Sequence, residues 1–200
     1  MRAFLLLFAL VTPAFAQDAQ TLITASRAQV GVTTNYDPAY TALEFPGGDV
    51  DRSRGVCTDV IIRALRDAWG VDLQLAVNRD MKAHFSAYPK NWGLKTTDRN
   101  IDHRRVPNLQ TLLARMGAER DISSDPAAFL PGDIVTYLLP GNLPHIAIVS
   151  DRMGTSAPMI LHNIGRGAQE EDSLFEYPIT GHYRLTPDAI AKLRALTAPA

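Results

Sequence analysis

The sequence predicts an α+β domain, and three observations carry that expectation. Apolar residues recur at helical spacing through the first half of the chain. After Leu130-Pro131-Gly132 the period changes to that of strands, in β-branched and aromatic runs parted by turn residues. No repeat, linker or second domain interrupts the 200 residues, so helices first and a sheet later belong to one unit.

Taken in order, Asp18 to Val30 is helix-like, and Gly31 ends it. Asp37-Pro38 and Phe45-Pro46-Gly47-Gly48 mark turns. Val56, Val60, Ile61, Ala64, Leu65, Ala68 and Trp69 then fall on one face of a helix closed by Gly70. Asp72 to Lys90 reads as a second helical region ended by Pro89, and Leu109 to Arg115 as a short helix stopped by Gly117. Between them, Asn91 to Asn108 is a polar loop, long enough to suggest a functional role. Strands are expected at Asp133–Leu139, His145–Ser150 and Met159–Asn163, forming an antiparallel meander, with Leu174–Tyr183 as one more edge strand. Thr186-Pro187-Asp188 starts a C-terminal helix, because Thr and Asp favour helix starts and Pro fits the first turn.

Residue totals limit the functions open to the chain. With 46% hydrophobic and 20% charged residues it can build a core, and a net charge of -1 supplies no basic face for nucleic acid. The N-terminus has Arg2, an apolar run from Phe4 to Val11, and Ala14-Phe15-Ala16. That is the form of an export signal over residues 1–16, cleaved before Gln17. Its apolar run falls short of the ~20 residues a spanning helix needs. The expectation is an exported protein, periplasmic or secreted, with one domain over 17–200, no integral membrane span and no lipid anchor.

Cys57 is the one cysteine. Exported proteins usually pair their cysteines, so an odd one suggests a reactive thiol or an intermolecular bond, against the bland alternative of a small buried hydrophobe. It falls in the first turn of the expected helix, where the helix N-terminus favours a thiolate. A base must come from elsewhere. His145 opens a strand after a turn and His162 ends the next, so a hairpin brings the two to one end of the sheet. His145 as base and His162 as acceptor of its other ring N–H reproduce the logic of nucleophile, base and orienting group.

A family resemblance adds to this. Gly55-Val-Cys-Thr-Asp-Val resembles the nucleophile turn of NlpC-type cell-wall peptidases, within the papain-like superfamily. Leu130-Pro-Gly-Asp-Ile-Val-Thr-Tyr, followed by Pro144-His-Ile-Ala-Ile-Val, resembles their histidine-bearing hairpin. Gly31-Val-Thr-Thr, Tyr36-Asp-Pro-Ala-Tyr, Asn100-Ile-Asp-His-Arg-Arg-Val-Pro-Asn and Gly181-His-Tyr-Arg resemble a family of exported bacterial proteins of unknown function, grouped with those peptidases. The resemblance implies a papain-like (NlpC-type) fold, with the nucleophile at a helix start packed on an antiparallel sheet. It implies Cys57 as nucleophile, His145 as base and His162 as orienting residue, with Asn163 as the papain-like alternative. Adjacent strand residues face opposite ways, so at most one of the last two fits. Thr58-Asp59 departs from the Ser-Gly of the peptidase pattern.

The same resemblance places a tyrosine near the oxyanion, for which Tyr36 and Tyr40 are both counterparts. Asp102 and Arg104, in the polar loop with His103 and Arg105, either bind a substrate carboxylate or form an internal ion-pair network. No HExxH or short-spaced ligand pair suggests a metal, and no Gly-rich phosphate loop suggests a nucleotide, so no cofactor is expected. Two functions follow: a thiol hydrolase, amidase or endopeptidase, acting on amide bonds of peptidoglycan or related peptides, or a non-catalytic cell-wall peptide-binding module on the same fold.

Overall fold

Residues 13–199 are described by a computed structural model; residues 1–12, most of the expected export signal, lie outside the described residues. The first helix, α1, spans Pro13–Arg27. It ends before Val30 because Gln29 and Val30 close tight turns onto Ser26 and Arg27, and the Gln29 side chain donates to the Val60 carbonyl. Two short strands, β1 (Asn35–Tyr36) and β2 (Arg54–Gly55), pair in parallel. The helix α2 runs Cys57–Trp69 and stops at Gly70, whose φ of 68° is the left-handed cap that glycine allows. The helix α3, Leu73–Ala83, is capped by Asp72, which accepts from Gln74 N–H. It gives way to a 3-10 turn at Phe85–Ala87, so the helical region is interrupted before Pro89. The polar loop carries its own 3-10 turn at Asp102–Arg104 and passes into α4, Val106–Arg115, which starts earlier than expected with Pro107 in its first turn.

The remaining elements are β3 (Glu119–Arg120), β4 (Ile134–Leu139), β5 (Leu143–Met153), β6 (Pro158–Asn163), β7 (Ala168–Glu171), β8 (Ile179–Tyr183) and α5 (Pro187–Thr197). The sheet order is β3-β8-β4-β5-β6-β7, and every pairing is antiparallel. The expected meander is its centre. Two expectations change. β8 is flanked by β3 and β4 rather than forming an edge, and β7 is an edge strand that its polar sequence concealed. Gly167 lets β7 begin: a Cβ there would lie 2.3 Å from the Thr33 carbonyl oxygen, which accepts from Ala168 N–H at 2.7 Å.

Strand alternation gives the sheet two buried faces. Ile134, Ile146, Ile148 and Leu161 face α1, α2 and α4 in the main core, which includes Cys57. Val135, Tyr137, Ala147, Val149 and Ile160 form a second cluster with Phe129 and Leu174 on the other face. Mixed α+β architecture with helices packed on an antiparallel sheet is therefore what the chain adopts.

Arg63, midway along α2, is fully buried. Its guanidinium pairs with Asp49 at 2.9 Å and donates to Thr33 Oγ1, Val50 O and Arg54 O at 3.1, 3.0 and 3.0 Å. It thus ties down the loop leading to Cys57. Replacing Arg63 with Met removes every one of these donors, and the expected loss is on the order of 3 kcal/mol in urea unfolding. A loss below about 1 kcal/mol, the size of an ordinary surface change, would show the network to be idle.

Candidate active site

The site begins at the start of α2. Val56 is extended, and its N–H donates to the Asp59 carboxylate at 2.6 Å. Asp59 also accepts from Arg104 Nε and Nη2 at 3.0 and 2.9 Å, a pair buried on both sides. Thr58 donates to the Arg104 carbonyl at 3.2 Å. The two residues that depart from the peptidase pattern therefore clamp the helix start to the 102–105 turn. Gly55 fits because a Cβ there would meet Asp59 at 2.9 Å.

Cys57 lies in the first turn, beside a cleft of about 240 Å³ whose walls include Tyr36, Trp92, Arg104, Arg105 and Pro144. Its side chain packs into the main core and the residue is only 5% exposed. Burial pushes the thiol up to about 12; the backbone N–H of Ile146 pulls the other way, the charge of Asp59 adds to the rise, and the N–H groups of Thr58 and Cys57 itself oppose it. The sulfur thus rests as a thiol.

The histidines meet on the sheet. His145 is the third residue of β5, opposite Tyr137, rather than its first, because the hairpin loop is only Pro140-Gly141-Asn142. His145 Nε2 and His162 Nδ1 are 2.9 Å apart, and His162 Nε2 lies 2.8 Å from Glu171 Oε2. Arg166 donates to the other oxygen of Glu171. Burial pushes His145 down to about 3, helped by the neighbouring His162. Burial also lowers His162, against the pull of Glu171. Asn163 faces the other way: its Nδ2 donates to the Gly55 carbonyl at 3.0 Å, bracing the turn before Cys57. It is His162 that meets His145.

Cys57 and His145 are neighbours without being bonded. Alternation turns His145 to the face of Tyr137 and Ala147, whereas the adjacent Ile146 faces the helices. Among the described residues no hydrogen bond joins the sulfur to an imidazole; the His145 ring lines a second cleft with Leu139, Leu143 and Ile164, and this cleft shares Tyr36 and Pro144 with that of Cys57.

Of the two tyrosines, Tyr36 lines both clefts, and its phenol is raised by burial and then by the charge of Cys57. Tyr40 points elsewhere, accepting from Asn100 Nδ2 at 2.8 Å. Asp102 is turned inward, paired with Arg105 at 3.0 Å and accepting from Asp98 N–H, so the internal network describes it. Arg104 reaches the cleft wall with its charge committed to Asp59. Arg105 stacks over Trp92 at 4.1 Å, a pairing that the sequence reading passed over. So was Glu171, since it lies in a polar stretch with no strand signature. Among the described residues no group of three or more His, Cys, Asp or Glu side chains is arranged to hold a metal, and no helix is long and apolar enough to cross a membrane.

Fold and site together define an α+β domain with a cysteine at a helix start and a histidine pair on the sheet beside it. The chain belongs to the family described as "Domain of unknown function (DUF1287)", whose model matches residues 23–185. It is 53% identical over 162 residues to "Uncharacterized protein YijF" of Escherichia coli (strain K12), a match taking in 80% of this chain and 78% of that protein. A solved structure, NlpC1 from Trichomonas vaginalis, is similar at a TM-score of 0.40 and 14% identity, over 87% of this chain and 45% of that chain.

The resting protonation state has two measurable consequences. Iodoacetamide should alkylate Cys57 slowly in the folded protein at pH 7, with a midpoint above the ~8.5 of a free thiol; a midpoint below 8 would contradict the burial argument. His145 and His103, both held down to about 3 by burial, stay neutral where the unfolded chain protonates near 6.5. The unfolded state then binds more protons, so stability falls as pH drops from about 6.5 towards 3, by up to about 1.4 kcal/mol per pH unit for each ring. Urea midpoints between pH 7 and 5 should show the decline, and His103→Gln should make it shallower.

Proposed function

We propose that the protein is an exported thiol hydrolase that cleaves amide bonds of peptidoglycan or related peptides, with Cys57 as nucleophile and His145 as base. The observation that carries this reading is the hydrogen-bonded chain His145–His162–Glu171, with His145 lining a cleft that shares the Tyr36 and Pro144 walls of the Cys57 cleft. A neutral imidazole oriented by a partner and placed near a cysteine at a helix start supplies the base that thiol acylation requires. Substrate class and export rest on the sequence alone: the resemblance to cell-wall peptidases, and residues 1–16 as an export signal preceding one domain over 17–200.

In this mechanism a substrate amide enters the shared cleft at Tyr36 and Pro144 and draws the sulfur and His145 together. The thiol proton passes to the imidazole as the sulfur attacks the carbonyl carbon. The resulting oxyanion is held by backbone N–H groups at the start of α2, with the Tyr36 hydroxyl within the same cleft. Collapse breaks the C–N bond, and the leaving amine takes the proton from His145. Water, deprotonated by His145, then attacks the thioester, releasing the acid and restoring the thiol. His162 accepts the other ring N–H of His145 and holds its orientation.

A non-catalytic cell-wall peptide-binding module is the second reading, favoured by the 5% exposure of Cys57 and its raised thiol. The departure at Thr58-Asp59 does not favour it, since both residues clamp the helix start to Arg104. Incubating peptidoglycan with the protein and with Cys57→Ala, then identifying muropeptides by mass spectrometry, separates the two. The expected result is new cleavage products that fall by more than about 10³-fold in Cys57→Ala, as for loss of a nucleophile elsewhere. Equal pull-down on insoluble peptidoglycan by both proteins, with no products from either, favours the binding module.

A further inference from the structure

We infer that Glu171 sets the direction of the hydrogen bonds through the histidine pair, so that His145 presents an unprotonated Nδ1; Glu171 is a positioning residue for the base. The inference deepens the hydrolase reading and rests on it for its catalytic meaning, though not for its structural content.

An ionised carboxylate only accepts, so His162 Nε2, 2.8 Å from Glu171 Oε2, must carry the proton. A neutral imidazole has one N–H, which leaves His162 Nδ1 as an acceptor. His145 Nε2, 2.9 Å away, must then donate to it. That uses the one proton of a neutral His145, and its Nδ1 is left with a lone pair. This nitrogen has no hydrogen-bond partner among the described residues, and the ring lines the cleft with Tyr36 and Pro144. Both rings are nearly fully buried, at 3% and 2% exposure, so water does not scramble the order. The strand register brings Glu171 into place: it pairs with Ile160, two residues before His162 on the same face of β6.

Arg166 makes the inference sharp. Its guanidinium donates to Glu171 Oε1 and cannot accept. In Glu171→Gln the amide oxygen is therefore drawn to Arg166, and the NH2 group faces His162 Nε2. The chain then reverses: His162 Nδ1 donates to His145 Nε2, and His145 carries its proton on Nδ1, where a base must have none. Glu171→Ala instead leaves His162 Nε2 facing a polar pocket with Arg166, Asp172, Glu176 and Tyr177, where water serves either tautomer. A merely structural Glu171 would make the isosteric Gln milder than Ala. A polarity-setting Glu171 makes it worse.

The test is imidazole nitrogen NMR on the full chain labelled with 15N-histidine at pH 7, with resonances assigned by single His→Gln substitutions. In the wild type His145 should show protonated Nε2 and bare Nδ1; in Glu171→Gln the two should exchange, and Arg166→Ala combined with Glu171→Gln should restore at least part of the original state. A protonated Nδ1 in the wild type, or no exchange in Glu171→Gln, overturns the inference. The wild-type spectrum decides even if a variant fails to fold. Muropeptide release forms the second arm: Glu171→Gln should lose at least about tenfold more activity than Glu171→Ala, since a wrong tautomer disables a base outright. If nothing is cleaved, the hydrolase reading fails while the spectra still judge the tautomer; if cleavage is intact and the tautomer is wrong, this inference alone fails.

Discussion

Two charges buried one turn apart in α2 dictate how everything around Cys57 is built. Asp59 and Arg63 are both inaccessible, and a buried charge is tolerable only when paired and hydrogen-bonded. Asp59 therefore draws in Arg104 and the 3-10 turn that carries it, while Arg63 draws in Asp49 and the carbonyls of the 50–54 loop. The irregular segments before Cys57 and opposite it are thus fixed by charge pairing rather than by regular secondary structure. The cleft is the space left between them, and its Arg104 wall is a consequence of the same pairing.

The sheet contributes a second constraint. Period-two alternation sends His145, His162 and Glu171 to one face and Ile146 and Leu161 to the other, where α2 packs. Cys57 consequently lies against β5 at the Ile146 backbone, while the histidine chain lies on the other face, the two clefts sharing Tyr36 and Pro144 at the strand end. Asn163 completes the coupling: β6 presents His162 to the base on one face and, one residue later, holds the Gly55 carbonyl on the other. One strand end thereby positions both partners of the proposed reaction.

Burial also decides the charge state at rest. A thiol pushed up and an imidazole pushed down form a neutral pair, not a preformed thiolate–imidazolium. In the proposed reaction, chemistry then depends on a substrate bringing the pair together as the oxyanion develops near the helix start. The histidine chain matters most in such a site, because a neutral imidazole is useful only if the correct nitrogen is bare. That nitrogen is chosen by Glu171, two hydrogen bonds away.

Local signals in the sequence established the helix over 57–69 with its glycine stop, the central hairpins, the Cys57 position in the first turn, and the meeting of His145 with His162. These rest on short-range physics: apolar period, capping and hairpin closure. Tertiary structure decided what depends on distant pairing. That His162 rather than Asn163 meets His145, that Tyr36 rather than Tyr40 lines the Cys57 cleft, and that Asp102 turns inward all follow from which face or loop a side chain shares. β7 and Glu171 had no local signature, because an edge strand of polar residues gains its hydrogen bonds only from its neighbour. The relation of Cys57 to His145 belongs to the same group: sequence order names the two residues, and only the packing of α2 on β5 says which side of the strand each one occupies.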